Sequence, residues 1–257
     1  MPKILFYDLE TSPSLGYTWR KYDQTVMKFE RETAIMSVAY KWAGEKTQVK
    51  QLCDYPEYHD VNDEDAFWDD RQLSQFLFDL MDEADVVVGH NVKKFDNKIA
   101  HTQFFRHSLG VPSPYITIDT LKVARKHFRC MSNKLGDLGE MLGLGGKQQH
   151  EGISLWFKCM KGDLRAWERM RRYARRDVVL LEKVYRKLRP YIEGYHVGSL
   201  TGDEFCCPVC GCKKLHKRGF SYTQTYTYQR YQCTSCGKWS KSRFSEKRDN
   251  PKNRGIN

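Results

Sequence analysis

Two short cysteine pairs constrain this chain more than any other feature in it. Cys207-Pro-Val-Cys210-Gly and Cys233-Thr-Ser-Cys236-Gly repeat one C-x-x-C-G knuckle, with 22 residues between the two. Zinc takes four soft ligands in a tetrahedron, and two knuckles supply two each. The glycines permit the tight turn that each pair needs. A segment of about 40 residues with few aliphatic side chains has too little core to fold unaided, so the metal is structural. Cys206 and Cys212 flank the first knuckle, and Cys53, Cys130 and Cys159 stand singly. An odd total of 9 cysteines argues against a disulfide framework and for a reducing compartment. Residues 200–245 are therefore expected to form a separate small β unit holding one Zn²⁺ on Cys207, Cys210, Cys233 and Cys236. Residues 246–257 carry almost no apolar side chain and are expected to be a disordered basic tail.

The first 199 residues read differently. Lys3–Leu9 is an apolar, aromatic strand. Residues 34–42 and 46–52 suggest two more, joined at Gly44-Glu45 into an antiparallel meander. Residues 54–65 are acidic and loop-like. Leu73, Phe76, Leu77 and Leu80 fall at helical spacing. Val86-Val87-Val88 is a short buried strand of the kind a parallel sheet core uses. Residues 96–109 predict a helix ending at Gly110, and Ile116–Ile118 another strand, with Asp119 placed to cap the helix after it. Leu135, Leu138 and Leu142 mark a helix stopped by Gly143. Residues 143–152, with Lys147 and His150, form a glycine-rich loop. A long helix over 163–188 has Val178, Leu181, Tyr185 and Leu188 on one stripe and ends at Pro190. Residues 191–202 read as a linker. The order implies an α/β domain over 1–199, a mixed sheet flanked by helices.

Several carboxylates are out of place in that pattern. Asp8 and Glu10 follow Ile4-Leu5-Phe6-Tyr7 at i and i+2, so they share one face of a buried strand. Their charges repel and burial penalises both, a conflict that a divalent cation resolves. Asp96 follows the second apolar strand and opens a helix, at the end of the sheet where Asp8 emerges. Tyr173 and Asp177 lie four apart on the long helix and share a face. Each pair alone has a plain structural explanation; the ordered set is more specific.

That set, D-x-E on a first strand, Phe95-Asp96 after Gly89-His90-Asn91, and Tyr173-x-x-x-Asp177 on a late helix, resembles the DEDD exonucleases. These are the DnaQ-like branch of the ribonuclease-H-like fold, and the tyrosine places the resemblance in the DEDDy subgroup. It covers about residues 1–190. The stretch 114–121 and the cysteine-bearing tail look like exonuclease-like proteins encoded by bacteriophages. The resemblance implies 3′-5′ hydrolysis of phosphodiester bonds with two Mg²⁺ or Mn²⁺ ions. Asp8, Glu10 and Asp177 would hold one metal, Asp8 and Asp96 the second, and Tyr173 would orient the attacking water. Leu9 and Thr11, and Asn91 and Phe95, would lie against the substrate. A proofreading or end-trimming role beside a replication protein, acting in trans, follows from the same resemblance.

Charge supports a polyanion partner. Residues 1–120 hold 13 Lys/Arg against 20 Asp/Glu, residues 121–199 hold 18 against 8, and residues 200–257 hold 12 against 4. Arg172 and Arg176 beside Tyr173 suit a phosphate backbone, or are the wet face of the helix. Between the knuckles, alternating Thr and Tyr suggest two strands with Tyr222, Tyr226 and Tyr228 on one face. With Lys217 and Arg218 they suit single-stranded DNA, with RNA as the alternative, by stacking and phosphate contact. Such a ribbon also resembles modules that grip a protein partner. No stretch is long and apolar enough for a membrane helix, and a cytoplasmic protein is expected, in the host cytoplasm if a phage encodes it. A structure-specific endonuclease with the same metals, and an inactive DNA-binding adaptor, remain the alternatives.

Overall fold

The computed structural model describes residues 2–20, 22, 25–59, 66–146, 151–194, 197–201, 205–224 and 226–247. Chain contacts divide it into two compact units, Lys3–Tyr185 and a second formed chiefly by the residues from Arg186 onward. The expected basic tail lies almost wholly outside the described residues, as do Lys147 and His150.

The larger unit is built on a five-stranded sheet. Its strands are β1 (Ile4–Thr11), β4 (Ile35–Trp42), β5 (Gln48–Gln51), β6 (Val86–Gly89) and β7 (Ile116–Asp119), in the order β5-β4-β1-β6-β7. β1, β4 and β5 pair antiparallel, while β6 and β7 run parallel to β1. The mixed α/β sheet and its antiparallel meander match the sequence reading. β1 runs two residues further than expected, to Thr11, so Glu10 as well as Asp8 sits within it, and the two pair across to Ser37 and Ala39 respectively.

Alternation along β1 sends Leu5, Tyr7 and Leu9 to one face and Phe6, Asp8 and Glu10 to the other. The first set packs against α1 (Arg71–Glu83) and α2 (Asp96–Arg106) through Leu73, Leu77, Met81, Ala100 and Phe104, all buried. The second set faces α6 (Leu164–Leu188). Phe6 meets Tyr185 edge-on at 5.2 Å, and Lys41, paired beside Phe6, forms an ion pair of 2.5 Å with Glu182. The stripe Val178, Leu181, Tyr185 and Leu188 is buried as its spacing predicts.

Four features escaped the sequence pattern. A hairpin, β2 (Leu15–Tyr17) and β3 (Lys28–Arg31), leaves the sheet after β1. Its base is clasped by Ser12, whose N–H donates to the Ala34 carbonyl and whose Oγ accepts from the Ala34 N–H, both at 2.9 Å. A further helix, α5 (Ile153–Met160), precedes α6, and short 3-10 turns occupy Leu52–Asp54 and Pro56–His59 in the acidic segment. The helix expected over 96–109 ends at Arg106 instead. There the His107 ring bonds Asp70 at 2.6 Å and Ser108 takes a left-handed φ of 57°, which turns the chain away. The remaining helices are α3 (Thr120–His127) and α4 (Leu135–Met141).

The second unit holds β8 (Leu215–Tyr222), β9 (Tyr226–Cys233), β10 (Trp239–Lys241) and β11 (Glu246–Lys247), with β9 central. Residues 191–202 are more than a linker. Ile192 and Val197 are buried, and Gly198 N–H donates to the Pro208 carbonyl at 2.9 Å.

Candidate metal centres and nucleic-acid surfaces

The end of β1 and the middle of α6 bring three carboxylates together. Asp8, Glu10 and Asp177 each offer an oxygen, and these atoms all lie within 4.8 Å of one another. Glu10 is buried, and Asp8 and Asp177 are half-buried. Burial raises the Asp8 carboxyl well above the usual carboxylate range, and the charges of Asp96, Glu10 and Asp177 push it further the same way. Like charges held this close are stable only if a proton or a cation intervenes.

Asp96 is the first residue of α2 and is buried. It stands outside the set of three. Its Oδ1 accepts the backbone N–H of Leu9 at 3.1 Å. Burial pushes its pKa up to about 7, the Leu9 hydrogen bond draws it down, and Asp119 adds a further rise. The loop that delivers Asp96 is fixed from several sides. Gly89 permits its first turn, since a Cβ there would meet Val92 Cβ at 2.6 Å. His90 bonds Thr120 Oγ1 and the Asn133 carbonyl, both at 2.9 Å. Asp119 accepts from Asn91 N–H at 3.0 Å and Lys93 N–H at 3.3 Å while also capping α3 at Leu121 and Lys122.

Tyr173 lies one turn before Asp177. Burial raises its phenol pKa far above the ordinary value, and the Asp177 charge and a hydrogen bond to that carboxylate add to the rise. Trp156 of α5 packs against it edge-on at 6.3 Å. The sequence signal for that contact was Ile153–Met160, an apolar run after Gly152.

The expected substrate contacts divide. Leu9 is corrected: its side chain is buried in the core on the face away from Asp8 and Glu10, and its N–H is already donated to Asp96. Thr11 is half-buried at a register break where β1 ends. Asn91 takes a left-handed φ of 65°, and Phe95, beside Asp96, is 47% exposed. Arg172 and Arg176 are exposed on α6. Arg171 is structural: it donates to the Val49 carbonyl at 2.8 Å and pairs with Asp54.

In the second unit the sulfurs of Cys207 and Cys236 lie 3.6 Å apart, as do those of Cys210 and Cys233, and all four fall within 4.8 Å of one another. A tetrahedron with Zn–S bonds of ~2.3 Å sets its sulfurs about 3.7 Å apart, so the set fits zinc. Hydrogen bonds from Cys210 and Cys236 favour the Cys207 thiolate, and Cys236 shifts in the opposite sense as their donor. Cys206 and Cys212 point elsewhere, to the Gly198 and Lys214 carbonyls. Lys217 and Arg218 are exposed on β8, Tyr226 is 46% exposed, and Tyr228 lies under Lys241, 4.9 Å from its ring centre. Tyr222 pairs with Thr227, so it lies on the opposite face from Tyr226 and Tyr228, against the expectation that all three share one.

Among the described residues no helix is long and apolar enough to cross a membrane. The sequence model of the RNase_H_2 family, of the RNase H superfamily, matches residues 27–189. That span includes Asp96, Tyr173 and Asp177 and leaves out Asp8 and Glu10. A family B DNA polymerase from the hyperthermophilic archaeon Pyrobaculum calidifontis is similar in structure with a TM-score of 0.49 and 16% identity. The match covers 74% of this chain and 25% of the polymerase, so the chain spans about a quarter of that protein's length. No curated protein matches the sequence.

Proposed function

The chain belongs to the RNase_H_2 family of the RNase H superfamily, and on that footing we propose that it is a metal-dependent 3′-5′ exonuclease of the DEDDy type. Its substrate in this reading is single-stranded or frayed DNA. The observation that carries the reading is the convergence of Asp8, Glu10 and Asp177 oxygens within 4.8 Å at the end of a buried strand.

The donor set is all carboxylate oxygen, which suits Mg²⁺ or Mn²⁺. Asp8, Glu10 and Asp177 would hold one ion, and Asp8 and Asp96 would serve a second. Bound there, the ions supply charge neutralisation at the phosphate and acidify the attacking water. Tyr173, whose hydroxyl proton is committed to Asp177, would orient that water by accepting a hydrogen bond from it through the phenol oxygen. Asp96 anchors β1 through Leu9 N–H and so keeps Asp8 and Glu10 in register with it. Phe95, Thr11 and Asn91 lie beside these groups to receive the terminal nucleotides, and Arg172 and Arg176 draw the phosphate backbone.

The domain assignment is 1–199 for the nuclease, 200–245 for a zinc ribbon and 246–257 for the basic tail. The ribbon holds one Zn²⁺ on Cys207, Cys210, Cys233 and Cys236. Lys217, Arg218, Tyr226 and Tyr228 give it a nucleic-acid-binding face. Trimming or proofreading beside a replication protein, acting in trans, is the biological role this reading carries.

The test is a time course on 5′-labelled single-stranded DNA with Mg²⁺ or Mn²⁺, comparing wild type with Asp8→Ala. A ladder shortening one nucleotide at a time from the 3′ end, absent in the variant, supports the reading. Fixed internal products would replace it with an endonuclease, and binding without cleavage would leave an adaptor.

A further inference from the structure

The hairpin β2–β3 has no place in the site described above. Leu15, Tyr17, Trp19, Met27 and Phe29 are 48%, 54%, 80%, 49% and 56% exposed. An isolated two-stranded ribbon is marginal in water, and large apolar side chains left open on one imply a covering partner. Its charges name the chemistry of that partner. Arg20, Lys21, Lys28 and Arg31 outnumber Asp23 and Glu30 in this segment, whereas residues 1–120 as a whole are acidic. Cations interleaved with open aromatic faces suit bases that stack and phosphates that run between them.

Position names the rest. Leu15 follows Glu10 by five residues, so even an extended chain keeps it within ~17 Å of that carboxylate. The stem is also held: the Ser12–Ala34 clasp closes it, Gln103 Nε2 donates to the Thr33 carbonyl at 2.8 Å, and Arg106 pairs with Glu32. The aromatic side chains are therefore carried on a base fixed to the C-terminal half of α2. Gly16 keeps the strands in contact, because a Cβ there would meet Val26 Cγ1 at 2.5 Å and the Lys28 carbonyl at 2.9 Å.

We propose that this hairpin is a grip for single-stranded nucleic acid, with Tyr17, paired across to Lys28, and Trp19 stacking on unpaired bases, and Lys28 and Arg20 meeting their phosphates. The inference takes its substrate class from the nuclease reading. It differs from that reading in what it needs, since the grip requires binding and no cleavage.

The experiment measures fluorescence anisotropy of labelled 20-nucleotide single-stranded DNA, single-stranded RNA and blunt duplex. The protein is the full chain carrying Asp8→Ala, with and without Trp19→Ala plus Tyr17→Ala. Loss of two stacking side chains is expected to weaken single-strand affinity by about tenfold or more and duplex affinity by less than about twofold. The DNA and RNA arms tell which sugar the grip accepts. Trp19→Tyr with Tyr17 intact is expected to restore most of the affinity, and the melting temperature to stay put, because these side chains make no core. Equal single-strand affinity with and without the hairpin aromatics overturns the proposal. So does an equal loss on duplex, or a self-association that the same substitutions abolish in sedimentation. Binding that depends on the hairpin in a wild-type chain that cuts nothing would keep the grip and remove the nuclease; cleavage with no hairpin dependence would do the reverse.

Discussion

Asp96 accepts its hydrogen bond from the N–H of Leu9, the residue between Asp8 and Glu10. One carboxylate on α2 is thereby tied to the backbone that presents two others on β1. Asp96→Asn preserves a carbonyl oxygen for that bond and removes the charge. It is expected to abolish cleavage with little change in melting temperature. Asp96→Ala leaves the Leu9 N–H buried and unpaired, at a cost of about 1–3 kcal/mol. A urea titration comparing the two separates the roles; equal destabilisation would show that the bond carries no weight.

The raised carboxyls predict how stability follows pH. An unfolded aspartate titrates near ~4, whereas Asp96 in the fold is pushed up to about 7, and Asp8 is raised as well. The folded state therefore keeps protons that the unfolded chain releases. This contribution is full below the unfolded pKa and is lost as pH rises through the folded one. Without added divalent ions, the melting temperature is expected to fall between pH 5 and pH 8. Asp96→Asn should flatten that slope, and Mg²⁺ should stabilise more at pH 8 than at pH 5. A slope unchanged in the Asn variant would remove Asp96 from the account.

Tyr173→Phe deletes one hydroxyl and keeps the ring against Trp156. Turnover is expected to drop by about 10²-fold or more, as for a lost group that positions the attacking water. Because the phenol stays protonated far above neutrality, the shape of the rate profile from pH 6 to 9 should not change. A titration limb that vanishes in the Phe variant would make Tyr173 a base instead.

Lys41 and Glu182 fix α6 over the sheet, with side chains only 16% and 10% exposed. Glu182→Ala strands the lysine charge and is expected to cost about 3–5 kcal/mol. Adding Lys41→Met should recover much of it. Chemical denaturation of the two variants decides. A small loss in the single variant would mean that water reaches the lysine.

One zinc per chain is expected by elemental analysis, and Cys233→Ser should lose it together with the strand signal of β8 and β9. The carboxylate site lies in the other compact unit, so its Mn²⁺ affinity is expected to survive. Zinc retained in the serine variant would point to Cys206 or Cys212 as a substitute ligand.

The sheet was legible in the sequence because its strands are short apolar runs with β-branched or aromatic residues. Asp8, Asp96 and Asp177 were legible as acids at places where acids are costly. The hairpin was not, since strands of three and four residues open to water on every side carry no alternation. The end of α2 was missed because a tertiary bond, His107 to Asp70, decides it. Leu9 was misread for a related reason. Adjacency along a strand puts neighbours on opposite faces, so standing between two site acids sends a side chain into the core.

The clasp between Ser12 and Ala34 has one more implication. Twenty-one residues leave the sheet and return to it at adjoining backbone positions. Such an excursion can be shortened, exchanged or grafted without disturbing the register of β1 against β4. In the nuclease reading, the site and the hairpin are thus separable by inheritance: a lineage, or an engineer, can rewrite the hairpin and leave untouched the strand that carries its first two acids.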